Sequence, residues 1–250
     1  MKKVLSMLLV LCMALTLCSA AFAEGKSPVD GMTVAFIPKV SGNSFFEAAN
    51  DGAQKYAADW GLTVDYIGAP TADVTTQLEL IQQAIDKGVD AICISSVDAT
   101  GLDEKLQEAQ DAGIYVSTWD SDVSPNARAL MVSQGTADVL GPMLVDMAGD
   151  SLTERGVDVN GEVKYVWHFS NPSVSDQNSW YVAGDAYIKE KYPTWVAVHD
   201  PYYSNQDPAQ SVSVGESILD AYADVDVIIC NDNHKTCCLC RAPLTRSRPL

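Results

Sequence analysis

Short apolar runs alternate with longer helix-like stretches from Gly31 to Asp122, and this alternation restricts the possible fold more than any other feature. The apolar runs predict strands over residues 33–38, 62–67, 91–95 and 114–118. Between them, apolar residues spaced by three and four predict helices over residues 44–59, 74–87 and 102–111. Repeated strand–helix–strand units require a parallel sheet with right-handed crossovers, so the sequence predicts an α/β fold.

A glycine follows each of these predicted helices, at Gly61, Gly88 and Gly113. Helices often end where glycine adopts the left-handed backbone conformation that other residues avoid. The three glycines therefore predict where the helices end.

A polar turn over residues 122–126 separates this block from a second α/β block. The second block contains an apolar run at 129–132, predicted strands over 163–169, 195–199 and 225–230, and predicted helices over 138–150, 178–191 and 209–222. We therefore predict two Rossmann-like lobes with parallel sheets, an N-terminal lobe over 31–122 and a partial C-terminal lobe over 123–233. Each has the size of an ordinary domain.

The first 23 residues have the composition of a secretory signal peptide. Lys2 and Lys3 precede an apolar stretch, and Ala21 and Ala23 form a small-residue cleavage site. A membrane anchor would need about 20 consecutive apolar residues, and no later stretch qualifies. A lipoprotein is less well supported, because Cys18 follows a leucine rather than a small residue. We expect an exported protein, in the periplasm or on the exterior of the cell envelope.

The charge of the body of the chain argues against nucleic acid as a partner. Two of the sixteen basic residues lie in the predicted signal peptide and four lie in the last 17 residues, which leaves ten basic against 33 acidic residues. Binding to phosphates requires a basic surface. The acidic surface indicates only that the protein is soluble.

The tail at 234–250 differs from the rest of the chain, since it is basic, rich in cysteine and without a helical or strand period. A metal site is one interpretation, but a second ligand pair at zinc-like spacing is absent. Its candidate ligands are His234, Cys237, Cys238 and Cys240. A disordered cationic tail is the second interpretation. The third, which we favour, is a shift of the reading frame after Asn233.

Motifs for catalysis and for cofactors are absent from the sequence. It contains no G-x-S-x-G elbow, no phosphate-binding loop, no H-E-x-x-H and no G-x-G-x-x-G. His168 and His199 lie in or beside predicted strands, where a structural role is expected. We therefore predict a protein that is not an enzyme and that uses no cofactor.

The end of the first predicted strand carries residues suited to a small ligand. Lys39 follows Pro38, which ends the strand, and Phe45 and Phe46 lie where the next helix begins. Open parallel sheets bind ligands at the carboxyl ends of their strands. A cation beside aromatic rings suits a polyhydroxylated molecule, because the cation donates hydrogen bonds and a ring covers the C–H face.

Polar residues also follow three other predicted strands. Trp119 and Asp120 follow the fourth strand, where a carboxylate could accept two hydroxyl hydrogen bonds and an indole could cover a sugar face. Asp176 and Gln177 lie at the equivalent edge of the second lobe, and Asn231 to Asn233 end the last strand. Each has a structural alternative, namely a hinge or helix cap at 120, a helix N-cap at 175 or 176, and a turn at 231–233.

Five segments together resemble the substrate-binding proteins of ABC importers. The segments are FIPKVSGNSFF, STWDSD, VSQGT, SNPSVSDQNSW and ESILDAYADVDVII. Within the type I periplasmic-binding fold they resemble the autoinducer-2-binding and rhamnose-binding branch, over about residues 31–232. The resemblance implies a monomer with two lobes that closes on one small sugar-like ligand and delivers it to a membrane permease.

The same resemblance suggests ligand-binding residues. It matches the family's lysine to Lys39, its aspartate to Asp120 and its Asp-Gln pair to Asp176 and Gln177, with Phe45 or Phe46 as the aromatic wall. Where that branch has a proline and an alanine, this sequence has Asn231 and Asn233. The two amides favour a more hydroxylated ligand than autoinducer-2, such as an aldose.

The resemblance ends at Asn233, so we expect an incomplete second lobe. An incomplete parallel sheet exposes an unpaired edge and apolar faces. The 250-residue chain is therefore expected to be unstable or to aggregate, and to bind poorly.

Three other functions compete with transport. A sugar-responsive transcription regulator would need an N-terminal DNA-binding segment where the predicted signal peptide lies. A secreted glycoside hydrolase could use Asp120 and Asp176 as its paired carboxylates. A binding protein for a chemoreceptor has the same sequence features as one for an importer.

Overall fold

A computed structural model describes residues 27–231 of the chain, which form two α/β lobes, each with its own sheet. The predicted signal peptide, Asn233 and the tail at 234–250 lie outside these residues. The strands of the first sheet are β1 (Thr33–Ile37), β2 (Thr63–Tyr66), β3 (Ala91–Ile94), β4 (Tyr115–Trp119) and β5 (Leu130–Val132). All of them pair in parallel, in the order β2-β1-β3-β4-β5. Between residues 27 and 231, no helix is both long and apolar enough to span a membrane.

Three helices connect the strands of the first sheet. They are α1 (Ser44–Trp60), α2 (Val74–Lys87) and α3 (Asp103–Asp111). The predicted helix ends are confirmed, because Gly61 and Gly88 lie at the C-caps with φ angles of 72° and 69°. One apolar core lies under α2 and α3, where Ile81 and Leu106 are fully buried against the sheet. Their burial follows from the apolar stripes that predicted the helices.

The pairing of β5 corrects the predicted boundary between the lobes. Leu130, Met131 and Val132 pair with residues 117–119 of β4, so this strand belongs to the first sheet. The prediction ended the first lobe at residue 122 because a polar turn follows it. A 3₁₀ turn at Pro125–Ala127 instead returns the chain to the edge of the same sheet. The first lobe therefore extends through Val132.

The second sheet is built around β6 (Val163–Phe169). On one side β6 pairs in parallel with β9 (Val227–Cys230). On the other side β7 (Trp195–Ala197) and β8 (Tyr202–Tyr203) lie end to end. The predicted strand at 195–199 is therefore too long, and β8 was not predicted, because Pro201 precedes it and proline cannot donate to a strand ladder.

Three helices accompany the second sheet, namely α4 (Ala137–Glu154), α5 (Ser175–Lys191) and α6 (Pro208–Ala221). Two glycines allow α4 and α5 to approach closely. A Cβ atom built on Gly141 would lie 2.5 Å from the carbonyl oxygen of Trp180 and 2.6 Å from the backbone nitrogen of Gly184. No side chain fits between backbones at this distance, so a glycine is required on the facing side of each helix.

Gln77 on α2 fixes the carboxyl ends of β1 and β3. Its amide nitrogen donates to the carbonyl oxygens of Pro38 (3.0 Å) and Ser95 (2.8 Å). Its amide oxygen accepts from the backbone N–H of Val97 at 3.0 Å. One buried side chain thereby satisfies three backbone groups beside Lys39, at the edge where ligands bind in such sheets.

Replacing Gln77 with leucine is expected to lower the free energy of unfolding by about 3 kcal/mol, because it leaves three backbone groups near the core without their partner. Urea denaturation followed by circular dichroism measures this change. Gln83→Leu is the matched control, since Gln83 is an exposed residue of the same helix. Equal stabilities of the two variants would show that the Gln77 hydrogen bonds contribute nothing.

Candidate functional site

Three charged side chains meet where the carboxyl ends of the two sheets face each other. Lys39 follows β1, Asp120 follows β4 and Asp176 lies in the first turn of α5. The Lys39 Nζ atom lies 2.9 Å from Oδ2 of Asp120 and 3.2 Å from Oδ1 of Asp176. Lys39 is 2 % exposed and each carboxylate 7 %. The structure thus brings together three residues, predicted separately from strand ends, as one buried ion cluster that joins the lobes.

Small polar residues hold the two carboxylates of the ion cluster. Asp120 accepts hydrogen bonds from Ser95 Oγ at 2.7 Å and from Gln134 Nε2 at 3.0 Å. Asp176 accepts one from the hydroxyl of Ser121. Because several donors fix each carboxylate, the oxygens have a defined direction before a ligand arrives.

The ion cluster sets two carboxyl groups against one ammonium group. Burial, the largest single influence, would lower the pKa of Lys39, but the charges of Asp176 and Asp120 and the hydrogen bonds to them together outweigh burial and place this pKa above its ordinary value. Burial raises the pKa of Asp176 above its ordinary value, while Lys39 opposes that rise and the charge of Asp120 adds to it. The lysine is therefore a permanent cation at neutral pH.

The backbone of Asp120 adopts a conformation that few residues accept. Its φ angle is +61°, in the left-handed region. Its N–H donates to the carbonyl of Val132 at 3.0 Å, and the carbonyl of Ser121 accepts from Ser96 at 3.1 Å. The neighbouring strand ends thus hold a strained turn that directs the Asp120 carboxylate at Lys39.

Four aromatic rings pack together next to the end of β4, which Asp120 follows. Trp119 stacks on Phe36 with a centroid distance of 4.7 Å and meets Phe46 edge-on at 5.7 Å. Phe45 lies 6.4 Å from Trp119 and is 45 % exposed, whereas the other three rings are buried. Of the predicted aromatic residues, Phe45 is therefore the one whose side chain is exposed to solvent.

Gln177 occupies a different environment from the ion cluster. Its amide oxygen accepts from the backbone N–H of Ser170 at 3.0 Å and from the hydroxyl of the same residue at 2.6 Å. These two hydrogen bonds fix the turn between β6 and α5. Helix α5 begins at Ser175, and its N-cap residue is Val174, so neither Ser175 nor Asp176 is the N-cap.

Asn231 follows β9 at the same edge of the second sheet. Its amide nitrogen and oxygen are both buried and have no hydrogen-bond partner within the part of the chain that the structure describes. A buried amide without partners is costly in a folded protein. Asn233, the other predicted amide, lies outside the described residues.

The two lobes also touch through hydrogen bonds around the ion cluster. The Ser175 hydroxyl both donates to the carbonyl of Asp122 and accepts from its backbone N–H, each at 3.0 Å. The backbone N–H of Ala99 donates to the carbonyl of Ser173 at 3.1 Å. These contacts place the loops after β3 and β4 against the turn before α5.

A cleft of about 270 Å³ lies against the two carboxylates. Asp120, Asp176 and Trp180 line it together with Ser133, Gly135 and Thr136, where the chain crosses from β5 to α4. Among residues 27–231, no group of three or more His, Cys, Asp or Glu side chains could hold a metal ion. The candidate metal ligands of the tail lie outside that range.

Four residues at the site were not predicted, namely Ser95, Ser121, Gln134 and Ser175. Gln134 belongs to the segment VSQGT, whose resemblance was noted without a role for any of its residues. Small polar residues follow many strands, so spacing alone gave no reason to select the serines.

Residues 34–237 match the family described as periplasmic binding protein domain. Among solved structures, the chain is similar to LsrB from Clostridium saccharobutylicum in complex with AI-2, with 56 % identity and a TM-score of 0.80, over 82 % of this chain and 63 % of that one. It is similar in fold to an ABC transporter solute-binding protein from Clostridium phytofermentas with bound L-rhamnose, with 23 % identity and a TM-score of 0.73, over 82 % and 61 % of the two chains.

A curated relative is the D-ribose/D-allose-binding protein of Pseudomonas aeruginosa, 29 % identical over 132 residues, which are 50 % of this chain and 41 % of that protein. The chain thus spans about two fifths of this relative and less than two thirds of LsrB.

Proposed function

The chain belongs to the periplasmic binding protein family, and from this membership we propose that it captures a small, neutral, hydroxylated ligand between its lobes and delivers it to an ABC permease. The relatives reported above bind AI-2 or sugars, as their names state. The observation that carries the proposal is the buried cluster of Lys39, Asp120 and Asp176, which takes its members from both lobes.

The cluster has the donors and acceptors that a polyhydroxylated ligand requires. A carboxylate has about four acceptor positions, of which protein donors occupy about three on each of Asp120 and Asp176, so each can accept about one hydrogen bond from a ligand hydroxyl. The Lys39 ammonium can donate to a ring or hydroxyl oxygen. The exposed ring of Phe45 can pack on C–H groups. Because Lys39 and Asp176 lie on different lobes, a ligand that bonds to both favours the closed arrangement of the lobes, and no bond is made or broken.

Two ligand classes follow from different observations. The identity of 56 % to LsrB favours AI-2. The amide of Asn231, which has no hydrogen-bond partner among residues 27–231, favours a ligand with more hydroxyl groups, such as an aldose, because a hydroxyl can both donate to and accept from an amide. Export through the predicted signal peptide at 1–23 and a monomeric state belong to the same proposal.

Isothermal titration calorimetry with AI-2, D-ribose and L-rhamnose tests the proposal, and we expect weak but measurable binding of at least one of them, in keeping with the poor binding expected from the sequence. Asp120→Asn should weaken that binding about 30-fold, because hydrogen bonds to a charged acceptor are stronger than those to a neutral one. Asp51→Asn, an exposed change on α1, is the control and should leave binding unchanged. Absence of binding to all three compounds would contradict the proposal.

One observation favours a secreted glycoside hydrolase as the rival function. The pKa of Asp176 is raised above its ordinary value, and the general acid of a glycoside hydrolase also needs a raised pKa. Product analysis after incubation with glycosides of the bound sugar separates the two functions. Binding without turnover excludes the hydrolase. Chemoreceptor docking and delivery to a permease share the same ligand site, so both are consistent with the binding test.

A further inference from the structure

A second cavity, of about 240 Å³, lies between the lobes and shares no lining residue with the ion cluster. The loop that follows Lys39 forms one wall and the turn between β8 and α6 forms the other. The cavity is far larger than the roughly 15 Å³ that a single water molecule needs. Its neutral polar lining residues are Ser41, Asn43, Thr71, Asn205, Gln206 and Gln210.

Gln206 is the residue that indicates a ligand in this cavity. It is 7 % exposed, and its amide oxygen is buried without a hydrogen-bond partner in the described part of the chain. A buried amide in this state lowers stability unless something outside the chain completes its hydrogen bonds.

The backbone around Gln206 supports the same conclusion. Asn205 and Gln206 have φ angles of +50° and +58°, so two consecutive residues that are not glycine lie in the left-handed region. Such positions cost stability and occur where function requires a side chain in a set direction. Hydrogen bonds hold the turn, since the N–H groups of Asn205 and Asp207 donate to the carbonyls of Ser170 and Ser204.

The charge of the cavity limits the chemical class of the ligand. Among residues 27–231, no cationic side chain lines the cavity, and the one charged residue that does, Asp207, is the N-cap of α6 and accepts from the backbone N–H of Gln210 at 2.8 Å. An anionic group would therefore meet a carboxylate without a cation. A hydroxyl group fits, because it can donate to or accept from the Gln206 amide in either orientation.

We propose that this cavity is a second ligand subsite, in which Gln206 binds a hydroxyl group of a neutral, polyhydroxylated ligand. The chemical class of this ligand rests on the proposed function, because we take it to be the compound that the ion cluster captures. Gln206 would then help to set which hydroxylated compounds bind, because a ligand lacking the hydroxyl leaves the buried amide unpaired.

Calorimetry on Gln206→Leu tests the subsite with the same three compounds, AI-2, D-ribose and L-rhamnose. We expect binding to weaken about tenfold for a compound whose hydroxyl reaches the cavity. Gln107→Leu, an exposed change on α3, is the matched control. In the absence of ligand the Gln206 variant should melt at the same temperature as the parent chain or higher, because it removes an unpaired buried polar atom. A lower melting temperature would show a structural role and would overturn the proposal.

A second measurement does not depend on the ion cluster. The side-chain amide signal of Gln206, assigned in a ¹⁵N-labelled chain from its loss in the leucine variant, should shift on addition of D-ribose or L-rhamnose and should not shift with inorganic phosphate. In one outcome, calorimetry detects binding that is equally strong in the parent chain and in Gln206→Leu, with no shift of the Gln206 signal in the parent chain. In that case the subsite is wrong and the proposed function stands. If calorimetry detects none while the sugars shift the signal, the proposed function fails and the subsite stands. If neither responds, both fail.

Discussion

Replacing Lys39 with methionine is expected to lower the free energy of unfolding by about 3–5 kcal/mol at neutral pH. Lys39 is buried and is the ammonium partner of both Asp120 and Asp176. Methionine has a similar length and no charge, so the variant leaves two buried carboxylates facing each other without a cation. Urea denaturation followed by circular dichroism measures the loss, and Lys55→Met, at an exposed position on α1, should change stability by less than about 0.5 kcal/mol.

The loss of stability in Lys39→Met should depend on pH in a defined direction. Lys39 lowers the pKa of Asp176, which burial has already raised above its ordinary value, so removing Lys39 raises that pKa further. A carboxyl group with a raised pKa in the folded state costs stability as pH increases from its ordinary pKa through the raised one. The variant should therefore recover part of its stability on acidification toward the ordinary pKa of an aspartate side chain. A difference from the parent chain that is independent of pH would contradict this electrostatic account.

Replacing Gly141 with alanine is expected to lower the free energy of unfolding by about 3 kcal/mol, because it inserts a methyl group where α4 and α5 touch. The new Cβ atom would meet the carbonyl oxygen of Trp180 at 2.5 Å and the nitrogen of Gly184 at 2.6 Å. Both are backbone atoms, so only a separation of the helices relieves the contact. A lower midpoint of urea denaturation and a lower melting temperature are the expected results.

The matched control for Gly141→Ala is Gly52→Ala. Gly52 also lies inside a helix, but a Cβ atom there meets nothing within 4 Å. Alanine has the higher helix propensity, so the control should stabilise the chain by about 0.5–1 kcal/mol. Opposite signs for the two substitutions identify the contact between the helices as the cause. If both variants gained stability, α4 and α5 would pack less closely than the structure shows.

Much of the fold could be predicted from the sequence because burial and the helix period agree along the chain. The predicted helix at 74–87 coincides with α2, and the predicted strand at 163–169 coincides with β6. Prediction was wrong where local patterns permit two outcomes. The apolar residues 130–132 suit either sheet, and only the tertiary pairing with β4 decides between them.

The candidate site could be predicted in part for a related reason. Lys39, Asp120 and Asp176 lie at strand or helix ends that a parallel sheet gathers at one edge, and the structure brings them together. The binding roles of Gln177 and Asn231 remain predictions, because sequence spacing cannot tell whether an amide bonds to its own loop or to a ligand. Gln206 was missed, since the signal there is a backbone conformation and an unpaired atom rather than a motif.

The left-handed backbone of Asp120 limits how this site can change over evolutionary time. Besides glycine, only asparagine and aspartate adopt that conformation with any frequency, so few substitutions at residue 120 leave the turn intact. A lineage that acquires a new ligand therefore has little freedom at the centre of the site. It has more at Phe45, whose φ angle lies within the helical range of α1 and whose ring is open to solvent. Specificity is expected to diverge first at the rim.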